Sequence, residues 1–193
     1  MGHDDPHDHD HEHGHHHGAG HHHQRAQVPE QHKARAPAYV KAYVITCSDS
    51  RTAASDEGGR IIKSALADRG HVISGSAIVP DEPARIAEEL QRARQAGAQV
   101  ALITGGTGIT SRDSTFEVVS AALARPLPGF GELFRMLSFQ EIGSAAMLSR
   151  AVAGVTREGL VVFAMPGSPA AVRLACERLI LPELGHLIEE LSR

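Results

Sequence analysis

Three aspartates and one glycine-rich turn are the residues of this 193-residue chain best suited to chemistry. The turn is Thr104-Gly105-Gly106-Thr107-Gly108-Ile109-Thr110-Ser111-Arg112-Asp113, directly after the apolar run Val100-Ala101-Leu102-Ile103. Glycines allow backbone conformations closed to other residues and let a phosphate or a flat ring approach main-chain N–H groups. Asp113 closes the run, while Asp49 and Asp81 follow two other short apolar stretches. Carboxylates beside a phosphate cradle suit Mg2+-assisted phosphoryl or nucleotidyl transfer, where the metal takes oxygen ligands and neutralises charge. A plainer reading stands beside this one. The glycines then serve only a strand-to-loop turn, Asp113 caps the following helix, and Asp81 or Glu82 caps its own.

The elements that must position these residues follow from pattern. Residues 38–47 read as a strand that stops at the polar loop Ser48-Asp49-Ser50-Arg51-Thr52. Asp56 and Glu57 open a helix whose apolar face is Ile61, Ile62, Ala65 and Leu66, and Gly70 ends it. A second strand over residues 71–79 leads to Pro80-Asp81-Glu82-Pro83, with Pro83 suited to the first helical position. The next helix buries Ile86, Leu90 and Ala93, and a third strand at 98–104 feeds the glycine turn. Residues 116–123 read as a helix ended by Pro126 and Pro128, Pro128-Gly129-Phe130-Gly131 as a turn, and 132–139 as a helix. Two strands at 151–155 and 160–164 are joined by Thr156-Arg157-Glu158-Gly159. The loop Met165-Pro166-Gly167-Ser168-Pro169 follows, and a last helix bends near Pro182. Such a succession predicts an α/β fold with a mostly parallel sheet. Loops 48–52, 80–83, 104–113 and 165–169 all follow strands, where ligand sites of such sheets lie.

Composition narrows the options. Residues 1–36 hold 12 of the 14 histidines and form a tail and linker; residues 37–193 form one domain. The tail has too little apolar surface to offset the entropy of ordering it, so disorder is expected. His7, His9, His11, His13, His15, His16, His17, His21, His22 and His23, interspersed with acids, suit loose binding of Zn2+, Ni2+, Co2+ or Cu2+. A purification tag is the alternative origin. A net charge of −4 without a basic stripe argues against nucleic acid as a partner. No 18-residue apolar run and no secretory signal are found, so neither membrane insertion nor export is expected. Cys47 and Cys176 form no CxxC pair and fit buried thiols in a reducing cytoplasm. No lysine follows the last glycine, which excludes a Walker loop, and no acid marks a ribose site for a dinucleotide. Ser48 lacks a nucleophile-elbow context, and His71 and His186 read as structural.

Taken in order, Ser48-Asp49-Ser50, Val79-Pro80-Asp81-Glu82, the Thr104–Gly108 run with Asp113, and Pro128-Gly129-Phe130-Gly131-Glu132 make a recognisable set. With Leu148-Ser149-Arg150 and Met165-Pro166-Gly167-Ser168-Pro169 it resembles the molybdenum cofactor biosynthesis family that includes MogA, MoaB and the G domains of gephyrin and its plant relatives. The run 134–143 looks closest to the MoaB branch, and the resemblance spans about residues 39–190. It implies a three-layer α/β/α molybdopterin-binding domain, a homo-oligomer of three or six copies, and contact with other enzymes of that pathway. It also implies transfer of AMP from ATP to the terminal phosphate of molybdopterin, using Mg2+ and releasing pyrophosphate. A non-catalytic molybdopterin- or nucleotide-binding carrier or scaffold is the alternative. On this resemblance Asp81 and Asp113 match the two carboxylates associated with activity and with Mg2+. Gly105, Gly106, Thr107 and Gly108 match the loop that holds the pterin phosphate. Ser48, Asp49, Gly131, Glu132, Pro166, Gly167 and Ser168 fall on the other pocket motifs.

Overall fold

The computed structural model describes residues 39–193. The histidine-rich segment, with its ten candidate metal ligands His7 to His23, lies outside the described residues. Within them the strands are β1 (Lys41–Cys47), β2 (Val72–Val79), β3 (Val100–Thr104), β4 (Leu123–Pro126), β5 (Val152–Thr156) and β6 (Val161–Met165). The helices are α1 (Glu57–Asp68), α2 (Pro83–Gln95), α3 (Thr115–Ala122), α4 (Pro128–Ile142), α5 (Pro169–Ala175) and α6 (Leu181–Leu191).

The strands form one sheet in the order β2-β1-β3-β6-β5-β4. Strands β1, β2, β3 and β6 run parallel, and β5 runs against both of its neighbours. The expected mostly parallel α/β/α sandwich is therefore present. Every residue of β3 and β6 is buried, because helices cover both faces of these central strands. Alternation along β1 divides the core in two. Ala42 and Val44 meet Ile62 and Leu66 of α1, Phe130 and Phe134 of α4, and the residues of α5 and α6. Tyr43, Ile45 and Cys47 point the other way, toward Ile86 and Leu90 of α2 and Val119 of α3. Tyr43 donates a 2.9 Å bond to the buried Glu89, so this face also pairs its one deep carboxylate.

Two local expectations change. Residues 123–126 are a strand, β4, which was not expected after the helix at 116–123; pairing with β5 fixes it, and an edge position tolerates the missing N–H of Pro126. Pro128 starts α4 instead of a turn, since its fixed φ suits the first helical position. Inside that helix Gly131 approaches Ala151 so closely that a Cβ would lie 2.6 Å from the carbonyl oxygen. The last helix is interrupted, as Pro182 implies, by a wider π turn at Cys176–Ile180. Pro182 has no N–H to give one turn back, and the backbone widens just before it. Among the described residues no helix is long and apolar enough to cross a membrane.

Asp56 anchors the start of α1 from inside the fold. Its carboxylate accepts from the Gly59 amide at 2.9 Å and from the Thr46 hydroxyl of β1 at 3.0 Å, and it is buried. Asp56→Ala removes a cap and orphans the buried Thr46 hydroxyl, at a cost of about 2 kcal/mol. The expected fall in melting temperature is roughly 4–8 °C, read by circular dichroism; an unchanged value contradicts this role.

Candidate ligand site at the carboxyl edge of the sheet

Strands β1, β2, β3 and β6 are parallel, so the four loops that leave them emerge on one edge. The β5 strand starts at that same edge, since Val152 pairs with Ala164 of β6. Arg150 and Ser149 therefore join the site from a strand that runs the opposite way.

The glycine turn is bent by Gly105 at φ +97° and Gly106 at φ +65°, values that side-chain-bearing residues rarely adopt. Contact also forbids a side chain at Gly106, where a Cβ would lie 2.2 Å from Asp81 Oδ2 and 2.3 Å from Thr115 Oγ1. The Gly105 amide donates to Met165 O at 3.0 Å, and Gly106 O accepts from Thr115 N at 3.0 Å. Among the described residues no carbonyl accepts from the amides of Gly106 and Thr107. Those two donors are left without a main-chain acceptor, as a turn that receives an anion requires.

The carboxylates divide the work. Asp81 does not cap α2; Glu82 holds that position and makes no side-chain cap. Asp81 Oδ1 instead accepts from Ser114 N at 3.1 Å, Ser114 Oγ at 2.8 Å and Thr115 Oγ1 at 3.5 Å. It thus ties the exit of β2 to the start of α3. Asp113 does not cap α3 either, because Ser114 takes the capping position. Its Oδ2 accepts from Thr110 N at 2.9 Å and from Thr110 Oγ1 at 2.5 Å. The Thr110 hydroxyl, first, and then backbone donors at Thr110 and Gly108 and the Arg150 cation hold its pKa below the ordinary carboxylate value. Asp49 Oδ1 accepts from the Asp81 amide at 3.3 Å, and its other oxygen pairs with Arg112 on the glycine turn.

The remaining expected residues fall around this centre. Ser48 Oγ accepts from the amides of Ser50 and Arg51 at 3.3 and 3.2 Å, which shapes the first loop. Pro166 O accepts from Thr104 Oγ1 at 3.3 Å, Gly167 packs on Gly105, and Ser168 caps α5 through the Ala171 amide at 3.3 Å. Thr107, Gly108, Pro166, Ser168, Phe134 and Ser149 line an open cavity of about 220 Å³. A larger groove of about 790 Å³, between α2, α3 and β4, includes no residue of the glycine turn. Gly131 and Glu132 are not among the lining residues of the small cavity; Gly131 serves helix-to-strand packing and Glu132 is exposed.

Two arginines that the sequence placed in motifs without a site role complete the rim. Arg51 Nη2 donates to Gly167 O at 3.2 Å, linking the first and last loops. Arg150 donates to two carbonyls of the glycine turn, those of Thr107 and Asp113. A signal for Arg150 existed: four residues between β5 and β6 allow only a hairpin, which puts the start of β5 on the ligand edge. Among the described residues no three His, Cys, Asp or Glu side chains converge on a metal position. A Mg2+ ion needs only one or two carboxylates when substrate phosphates complete its shell, and Asp81 and Asp113 are oxygen donors of the fitting kind. Cys47 and Cys176 are free and buried, and desolvation raises both thiols to about 12, which keeps them unreactive.

The lowered pKa of Asp113 gives a pH signature. Its contribution to loop stability is present above the unfolded-state value, about 4, and is lost as pH falls through the lower folded-state value. Hydrogen exchange by NMR should show the Thr110 amide protected until the pH falls below the ordinary aspartate value. In Thr110→Val the loss should come at higher pH; identical profiles contradict the assignment.

Comparison with known proteins agrees with this geometry. A family model described as "Probable molybdopterin binding domain" matches residues 43–186. Molybdenum cofactor biosynthesis protein B of Halalkalibacterium halodurans is 48% identical over 166 residues, covering 85% of this chain and 97% of that protein. A crystal structure of a molybdenum cofactor biosynthesis protein B superposes with a TM-score of 0.78 at 47% identity, covering 82% of this chain and 99% of the other. The tungsten cofactor synthesizing protein MoaB from Pyrococcus furiosus gives 0.75 at 36% identity, covering 82% and 100%. By sequence and by fold, the chain belongs to the MoaB/MogA family of molybdenum cofactor biosynthesis proteins.

Proposed function

We propose that this protein binds molybdopterin, with the terminal phosphate on the glycine turn and the remainder of the ligand against the adjoining cavity. The observation that carries this reading is the pair of unengaged amides at Gly106 and Thr107, beside a cavity lined by Thr107, Gly108 and Phe134. A phosphate there accepts from main chain that Asp81 and Thr115 hold in place.

The flanking carboxylates favour a catalytic reading of the same site, adenylyl transfer. An oxygen of the molybdopterin terminal phosphate attacks the α-phosphorus of ATP. The new P–O bond forms as the α–β bridging bond breaks, and pyrophosphate leaves. Asp81 and Asp113 would hold Mg2+, which neutralises charge on the transferred phosphate. The glycine turn orients the attacking phosphate, and the Asp113 carboxylate, oriented by Thr110, would be a ligand of the ion. Calorimetry with metal-free molybdopterin, together with pyrophosphate release from Mg-ATP in the same sample, separates the two readings. Binding with pterin-dependent release that falls at least a hundredfold in Asp81→Asn and Asp113→Asn, on the order of one lost electrostatic contact, supports the enzyme. Binding without release leaves the carrier or scaffold role, and no binding overturns both.

Assembly into a trimer or hexamer and a cytoplasmic setting belong to the same proposal. The exposed apolar stripe Leu133, Met136, Phe139 and Ile142 along α4, continued by Met147, supports self-association. Free buried thiols support a reducing compartment.

We infer a separate role for residues 1–24, loose capture of a transition metal, from the density of imidazole and carboxylate in their sequence. Deleting them should abolish multi-site Zn2+ or Ni2+ binding by equilibrium dialysis and leave molybdopterin affinity unchanged. Unaltered metal stoichiometry contradicts it.

A further inference from the structure

The glycine turn is lightly held by main chain. Between Thr107 and Asp113 its one backbone bond among the described residues is internal, from Asp113 N to Thr110 O at 3.1 Å. The side chains that reach it from other elements are Asp49, through exposed Arg112, and Arg150. Arg112 is 78% exposed and Asp49 44%, so that pair is screened and weak. Arg150 is different, with only a quarter of its side chain exposed.

Its guanidinium is used in every direction. Nε donates to Thr107 O at 3.4 Å, inside the turn, and Nη2 donates to Asp113 O at 3.3 Å, at its end. Nη1 pairs with the Glu117 carboxylate one turn into α3. The flat face lies 5.0 Å from the centroid of the Phe116 ring. One side chain, from the residues just before the antiparallel strand β5, thus spans the turn from Thr107 to Asp113 and the helix that follows.

We propose that Arg150 is the positioning residue of the glycine turn: its planar fork fixes the span from Thr107 to Asp113 and so the aim of the free amides and of the Asp113 carboxylate. It acts through those groups and not on the ligand. Lysine cannot replace it, because one ammonium does not reach two carbonyls and a carboxylate while stacking on a ring. The proposal rests on the molybdopterin reading only for its ligand readout.

The test uses the full chain with Arg150→Lys and Arg150→Met. Three quantities are measured: hydrogen exchange at the Thr110, Asp113, Ser114 and Thr115 amides, melting temperature, and molybdopterin affinity by calorimetry. In both variants the four amides should exchange at least tenfold faster, the loss of one or two charge-assisted bonds. Affinity should fall on the order of ten- to a hundredfold. Free guanidinium at sub-denaturing concentration should recover part of the affinity in Arg150→Met and leave Arg150→Lys unchanged, a response that general destabilisation does not produce. Native exchange rates at the four amides in Arg150→Lys overturn the proposal, and so does native affinity in that variant. If the wild-type chain fails to bind molybdopterin, the functional reading falls, and the exchange comparison still decides the role of Arg150.

Discussion

The site depends on one contact, that between the Asp81 carboxylate and Gly106. Asp81 occupies the space that any side chain at Gly106 would need, and its other oxygen gathers the amide and hydroxyl of Ser114. Three segments meet there: the exit of β2, the turn after β3 and the first residues of α3. Each has its own reason to be near the edge, and this contact, with the bond from Thr115 N to Gly106 O, sets their mutual spacing. A polar group is otherwise costly to bury part-way into a protein. Here the cost is offset by donors that also need partners, so site geometry and local stability are the same set of bonds.

Rigidity is unevenly distributed around that contact. Beneath it lie β1, β3 and β6, apolar and covered on both faces. Above it the glycine turn carries few main-chain bonds and is steadied by side chains from elsewhere, Arg150 above all. Such a division suits binding. The sheet fixes where the turn begins and ends, and the turn keeps its own donors uncommitted. The same logic explains why β5 runs against the sheet. A hairpin after Thr156 returns the chain so that Ser149 and Arg150, which precede β5, face the loops that follow the parallel strands.

Much of this was legible in the residues, and the exceptions have physical causes. Strands β1 to β3 and helices α1 and α2 follow from apolar period and caps, and their bounds sit within a few residues of expectation. Strand β4 was not legible. Leu123-Ala124-Arg125-Pro126 has no strand pattern, and only pairing with β5 makes it one. The start of α4 was hidden because Pro128-Gly129-Phe130-Gly131 has the composition of a turn, while Pro128 equally suits a helix start. In the site, the glycine turn and the three aspartates are on one edge as expected. The cap offered as the plainer alternative for Asp81 is not made, because its donor is 33 residues away in sequence and local capping rules do not look that far.

What ties these observations together is that the ligand meets the main chain of the glycine turn. The most direct measurement is a two-dimensional NMR titration of the amide resonances with molybdopterin. Saturable shifts that are largest at Gly106, Thr107 and Gly108, with smaller ones at Ser114 and Gly167, are the predicted result. Shifts confined to the groove between α2, α3 and β4, with the glycine turn unmoved, would contradict it.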